Sequence, residues 1–321
     1  MNYALQIRNV TKRYGSFVAV DRLSLDLPTG QIVGFLGPNG AGKTTTIRMI
    51  MSILFPDEGE INVLGRPRAS EVKDRVGYLP EERGLYRKMT VDACLRYFGN
   101  LKGLSGRTLT DRIDKGLEAV GLKDWKRKPV EALSKGMQQK LQFVTTVLHE
   151  PELVILDEPF SGLDPINSEM LKDLMLDLRK RGATVIFSTH QMETAQRLCD
   201  RLLLINHGRK LIDGTLADVQ ARFSTPVVSL SGEGDFASLR SLPGVIGGET
   251  RLGGARLELA EGTDPQAILK RAIELGRVSK FDVHTLDLHE IFVKLVAADP
   301  RPEGRSAASI SPGATAVGGT R

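Results

Sequence analysis

Consecutive residues from Gly37 through Pro38, Asn39, Gly40, Ala41, Gly42, Lys43 and Thr44 to Thr45 carry the clearest chemistry in this chain. They follow a short apolar run, Gln31 to Leu36, and lead into Thr46 to Ile50, which reads as the start of a helix. A glycine-rich turn between a buried strand and a helix, ending in Gly-Lys-Thr, is a phosphate cradle. Its glycines let backbone N–H groups converge on phosphate oxygens, where a side chain would block the approach. The helix N-terminus adds partial positive charge aimed at the same point. Lys43 can reach the β- and γ-phosphates of a nucleotide, and the Thr44 hydroxyl can ligate Mg²⁺.

A second group lies far along the chain. Leu153, Val154, Ile155 and Leu156 form a continuous apolar run that ends in Asp157 and Glu158. Asp157 at the C-terminal end of such a strand belongs beside the phosphate turn, where open parallel sheets bind ligands, and is placed to hold Mg²⁺ through water. Glu158 can accept a proton from the water attacking a γ-phosphate. Alone, an Asp-Glu pair is an ordinary solvated strand end; beside a phosphate turn the catalytic reading is stronger. A third group, Leu133 to Lys140, opens a helix with apolar positions at Leu141, Val144 and Leu148. Ser134 is a good cap, and Gly136 lets an anion approach the backbone. It is an ordinary capped helix by itself, and a second half-site if a phosphate comes near.

The elements that must position these groups alternate. Val33–Leu36 and Val76–Leu79 read as buried strands. From about 86 to 150 the pattern is helical, with Val91–Phe98 and Leu109–Val120 at helical spacing. After 151, the apolar strand 153–156 is followed by a helix near Ser168–Arg181, ended by Gly182, and by a buried strand at Thr184–Ser188. This α/β alternation predicts a parallel, doubly wound sheet covered on both faces. From Pro226 a different pattern begins: strand Val227–Leu230, short helix Asp235–Leu242, hairpin Val245–Thr250 and Ala255–Ala260 around Gly253, helix from Pro265 to Gly276, and strand Lys280–His284. That β-α-β-β-α-β order is ferredoxin-like, and Leu288–Ala298 adds a last amphipathic helix. After Asp299 almost no large apolar residue remains, and the composition predicts disorder over 299–321.

Taken in order, these motifs resemble one family, the ATPase subunits of ATP-binding-cassette (ABC) transporters, over roughly residues 3–220. Gly37–Thr45 is similar to the Walker A loop, Leu153–Glu158 to Walker B, Leu133–Lys140 to the signature motif, Ser161–Asp164 to the D-loop, and Ser188–His190 to the switch histidine. Tyr14 matches the aromatic that stacks on adenine. The resemblance implies a P-loop NTPase cassette with a RecA-like core, an antiparallel β subdomain and a helical subdomain at about 86–150, the cassette spanning 1–222. It implies ATP and Mg²⁺ as cofactors, hydrolysis by Lys43, Glu158 and His190, and two cassettes meeting head to tail. In that pairing Ser134 and Gly136 would contact the γ-phosphate held by the opposing subunit, and Asp164 would link the two sites. Mg²⁺ would be held by Thr44, Asp157 and Glu81. Three residues depart from the usual pattern. Glu81 replaces the Q-loop glutamine, adding negative charge near the γ-phosphate; Lys135 replaces a signature glycine, and Met137 a glutamine. The 223–298 region resembles the small α+β domain appended to cassette ATPases of the sodium-efflux type, through the ending Leu288 to Leu295.

Whole-chain properties fit this reading. The 321 residues suggest about two domains. A net charge of +5 and a pI near 9.2 are compatible with an anionic ligand or membrane surface. No stretch reaches the roughly 18–20 apolar residues of a bilayer span. The N-terminus carries no export signal, and Cys94 and Cys199 fit neither a metal pattern nor a secreted framework. These features predict a cytoplasmic protein; the family resemblance implies a place on the inner membrane face, peripheral through a separate membrane-spanning permease, and the branch it resembles implies an exporter. The cassette partner is a second copy or a paired subunit; no nucleic acid is expected. The alternative is a cassette ATPase that remodels ribosomes or DNA. It is disfavoured by a single Walker A loop and by the absence of a coiled-coil insertion or zinc cysteines. A degenerate, regulatory cassette is disfavoured by Glu158 and His190. His284 and His289 read as structural rather than as metal ligands. The C-terminal region is expected to strengthen subunit pairing through open sheet edges, and to be dispensable for folding of the cassette.

Overall fold

The computed structural model describes residues 2–82, 84–223 and 225–299; the predicted 299–321 tail lies, after Asp299, outside the described residues. In chain order the elements are β1 (Tyr3–Tyr14), β2 (Phe17–Pro28), β3 (Ile32–Leu36), α1 (Lys43–Ile50), β4 (Glu58–Val63), β5 (Val76–Leu79), α2 (Val91–Leu101), α3 (Gly106–Ala119), α4 (Lys135–Val147), β6 (Leu153–Leu156), α5 (Pro165–Lys180), β7 (Thr184–Thr189), α6 (Met192–Leu198), β8 (Arg201–Asn206), β9 (Arg209–Thr215), α7 (Leu216–Arg222), β10 (Pro226–Gly234), β11 (Val245–Arg251), β12 (Gly254–Leu259), α8 (Pro265–Leu275), β13 (Gly276–Thr285) and α9 (Leu288–Ala298).

The central sheet runs β5-β6-β7-β3-β8-β9. Its first five strands are parallel and only β9 is antiparallel. β3, β6 and β7 are buried at every residue, as strands covered on both faces must be. Their C-terminal ends are aligned: Leu36 pairs with Thr189, and Leu156 with Phe187. This register brings Gly37, Asp157 and His190 to one rim of the sheet although they are far apart in sequence.

An antiparallel sheet, β2-β1-β4, packs over α1. Ala4, Leu5, Ile7 and Leu25 share a core with Val33, Ile47 and Ile50. Helices α2, α3 and α4 enclose a separate core of Val91, Leu95, Leu109, Ile113, Leu117, Leu141 and Val144. Two buried glutamines fasten α4 to the central sheet's rim. Gln139 Nε2 donates to the Pro159 carbonyl at 3.1 Å, and Gln142 Nε2 to those of Pro80 and Glu82 at 3.4 and 3.3 Å.

The C-terminal sheet is antiparallel with order β11-β12-β10-β13, the strand order of a ferredoxin-like sheet. One connection differs from expectation. The segment predicted as a helix over 235–242 is a short 3₁₀ turn, Ala237–Ser241. Asp235 Oδ1 accepts from the Ala237 N–H at 2.9 Å, and Pro243, which has no N–H to donate, closes the segment before a longer helix can form. Helix α9 does not cover this sheet alone. Its Leu288 and Ile291 join Met192, Ala195, Leu202, Leu204 and Ile212 in one core, while Arg256–Glu290 and Lys294–Glu258 ion pairs tie its other side to β12. Helix α9 thus supplies part of the cover of α6 and β8, and removing 223–321 would uncover that core.

Candidate functional site

A cleft of about 680 Å³ opens at the rim of the central sheet. It gathers Tyr14, Asn39, Gly40, Ala41, Gly42, Lys43, Thr44, Thr45, Glu81, Glu158 and His190. The β1–β2 hairpin adds Ser16, Phe17 and Ala19, and Ser161 completes the far wall. Sequence reasoning missed the three hairpin residues, because nothing in a short hairpin says which cleft its tip will face; Ser161 is read from sequence only as the start of the segment similar to the D-loop. Tyr14 is about one-third exposed, with Lys12 Nζ 5.8 Å from its ring centre. It offers a flat apolar face at one end of the cleft.

The phosphate turn is built as its glycines require. Gly42 has φ +103°, and a Cβ there would meet the Ala19 carbonyl oxygen at 2.5 Å. At Gly37 a Cβ would meet the Ile205 carbonyl oxygen at 2.4 Å. The chain therefore lies flush against neighbouring backbone at both glycines, and within the turn the Ala41 N–H donates to the Pro38 carbonyl at 3.1 Å. Lys43, only 8 % exposed, folds back over the turn. Its Nζ donates to the Gly37 carbonyl at 2.8 Å and to that of Pro38 at 3.2 Å, so both residues are engaged through Lys43. Burial holds the Lys43 ammonium below its ordinary pKa, against the opposing pull of Glu158, Asp157 and Glu81.

Behind the cleft, Asp157 is 1 % exposed. Its Oδ1 accepts from the Ser188 hydroxyl at 2.6 Å, and its Oδ2 is buried with no hydrogen-bond partner. Asp157 and Glu81 both act on the Lys43 ammonium, and a buried carboxylate oxygen left free there suits a hard divalent cation, which takes oxygen ligands. The residues present thus fit Mg²⁺. Glu158 sits in the left-handed region at φ +48°, an unusual conformation for a side chain of its size. Its Oε1 lies 3.2 Å from His190 Nδ1, so the carboxylate and the imidazole face the cleft as a pair.

Ser134, Gly136 and Asp164 stand outside this group; none of them lines the cleft. Ser134 caps α4, its Oγ accepting from the Met137 N–H at 3.2 Å. Gly136 faces Leu163, whose Cδ2 would lie 3.7 Å from an added Cβ. Asp164 caps α5 by accepting from the Asn167 N–H at 2.9 Å, which starts that helix at Pro165, earlier than the periodicity predicts. The three residues thus cluster at the adjacent starts of α4 and α5.

Known proteins share this architecture. A family model described as "ABC transporter" matches residues 20–161, and one described as "ATP-binding protein DrrA1-3-like, C-terminal domain" matches residues 214–296. The ABC transporter ATP-binding protein YhaQ of Bacillus subtilis (strain 168), itself uncharacterised, is 42% identical over 294 residues, covering 92% of this chain and 99% of that protein. The chain belongs to the ABC transporter ATP-binding protein family. The Nod factor export ATP-binding protein I of Sinorhizobium fredii is 37% identical over 269 residues, 83% of this chain and 78% of the relative. A solved ATP-binding subunit of an ABC transporter superposes with a TM-score of 0.64 at 32% identity, covering 68% of this chain and 93% of that one. As an ABC ATPase the protein binds ATP with Mg²⁺ and hydrolyses it, coupled to transport, working with a membrane permease component. No helix among the described residues is long and apolar enough to cross a membrane.

Proposed function

We propose that this ABC ATPase powers export, bound to the inner face of the cell membrane through its permease, with two cassettes closing on nucleotide. The export reading rests on relatives named for Nod factor export. The observation that carries the catalytic reading is the convergence of Lys43, Glu158 and His190 on one cleft with the phosphate turn. Tyr14 stacks on the adenine. Backbone N–H groups of the Gly37–Thr45 turn surround the phosphates, apart from that of Ala41, which is bonded within the turn, and from Pro38, which has none. Lys43 exchanges its two loop carbonyls for phosphate oxygens. Thr44, Asp157 and Glu81 would hold Mg²⁺, which offsets charge on the β- and γ-phosphates when bound. Glu158 takes the proton of the attacking water. His190, 3.2 Å away, orients that carboxylate and contacts the γ-phosphate. Ser134, Gly136 and Asp164 serve the opposing subunit, a second copy or a paired cassette; their placement together, away from their own chain's cleft, supports this. The same proposal divides the chain into a cassette over 1–222 and an accessory unit over 223–298.

The test compares two variants. Glu158→Gln is expected to retain ATP binding, to lose about 10²- to 10⁴-fold in hydrolysis, and to sediment as a nucleotide-dependent dimer. Lys43→Ala is expected to lose nucleotide binding itself. Near-normal turnover by Glu158→Gln would remove that residue from the role of base, and a Glu158→Gln monomer at saturating ATP would remove the paired-cassette reading.

A further inference from the structure

From sequence, Ser188 closes the buried strand Thr184–Ser188 and opens the segment similar to the switch histidine, with no role of its own. The structure gives it two bonds that bear on the active site. Its hydroxyl accepts from the Glu158 N–H at 2.9 Å and lies 2.6 Å from Asp157 Oδ1. A backbone N–H can only donate, so it takes one lone pair of the hydroxyl. The hydroxyl proton then goes to its other hydrogen-bond partner among the described residues, the Asp157 carboxylate oxygen. The side chain is wholly buried, which removes water as a competing partner.

This arrangement does two things. It occupies Asp157 Oδ1 and so fixes the plane of the carboxylate, leaving Oδ2 as its one unpartnered oxygen. It also clamps the backbone of Glu158 in a left-handed conformation at φ +48°, which costs about 1–3 kcal/mol when unsupported. Held there, Glu158 presents Oε1 to His190 Nδ1 at 3.2 Å. One hydroxyl on β7 therefore aims both acidic residues at the end of β6, across a strand boundary and 31 positions away.

We propose that Ser188 is a positioning residue for ATP hydrolysis, setting the Asp157 carboxylate for Mg²⁺ and the Glu158 backbone for water activation. The proposal rests on the roles proposed for Asp157 and Glu158 themselves. Groups hydrogen-bonded behind a metal ligand change metal affinity or activity by about 10–100-fold when removed.

The experiment measures ATP binding to the full chain by calorimetry, in EDTA and across a Mg²⁺ titration, for wild type, Ser188→Ala, Ser188→Thr and Asp157→Asn. Ser188→Ala is expected to bind ATP in EDTA as wild type does, and to need about 10–100-fold more Mg²⁺ for the half-maximal gain in affinity. Its turnover is expected to fall by a similar factor with little change in KM for ATP. Ser188→Thr keeps the hydroxyl and should restore the Mg²⁺ response wherever circular dichroism shows it folded. A role in packing alone would lower binding in EDTA and in Mg²⁺ equally, and that result overturns the proposal. So does an unchanged Mg²⁺ response in Ser188→Ala. If Asp157→Asn loses the response while Ser188→Ala keeps it, only the Ser188 role fails. If neither variant changes it, the assignment of Asp157 to the metal fails as well.

Discussion

At the scale of single residues, charge and burial decide how this protein responds to pH. His149 lies at the end of α4 with its Nε2 3.2 Å from the Val76 carbonyl. Burial, reinforced by the Lys102 and Arg112 cations, pushes its pKa down to about 4, against the Val76 bond that favours protonation. The unfolded chain binds this proton near pH 6.5 and the folded chain only near 4, so folding loses ground as pH falls through that window and is unaffected above it. Each unit of depression corresponds to about 1.4 kcal/mol, and partial exposure of the ring reduces the realised effect. Urea melts at about pH 7.5 and about pH 5 are expected to show a loss that shrinks in His149→Gln; an equal loss in both proteins would exonerate His149. The acidic pair at the end of β6 is legible in the sequence, because an apolar run closing on Asp157 and Glu158 is a local pattern. The partner of that pair is not. Ser188 touches Asp157 only because β6 and β7 lie side by side, and the order of strands in a sheet is written nowhere in the local sequence.

At the scale of elements, the turn between β3 and α1 is fixed by backbone contact as much as by its conformation. Gly30 and Gly42 both have positive φ, but an added Cβ finds open space at Gly30 and the Ala19 carbonyl oxygen at 2.5 Å at Gly42. Gly30→Ala should cost about 1 kcal/mol, the left-handed backbone alone, and Gly42→Ala more than about 2 kcal/mol. Gly42→Ala should also weaken ATP binding at least tenfold. Denaturation and nucleotide titration of the two variants check this, and equal costs would mean the contact with β2 yields freely. Element identity is readable for β3, β6 and β7, since a short, mostly apolar run too brief for a helix suits a strand covered on both faces. The helix predicted over 235–242 shortens to the 3₁₀ turn Ala237–Ser241 ahead of Pro243, a stop that hydrophobic spacing alone does not register.

At the scale of the whole molecule, α9 unites regions that the sequence presents as separable. Amphipathic spacing shows that Leu288 and Ile291 are buried, but not what buries them. They lie in the same core as Met192, Ala195 and Leu202, so the helix that follows the switch histidine is covered by residues about a hundred positions later. Ile291→Ala is expected to destabilise the full chain by about 2–5 kcal/mol. A chain ending at residue 222 should bind a hydrophobic dye where the full chain does not. If Ile291→Ala melts like wild type, α9 contributes nothing to the cassette. The arrangement also sets a clock on biosynthesis. At about 5–20 residues per second, the ribosome needs roughly 5–20 s to pass from Met192 to Ile291, and during that interval the emerging chain carries an open apolar face. A message truncated anywhere in between yields a product that keeps that face open, so an unfinished chain is marked for chaperones and proteases by the one surface that only its finished form can close.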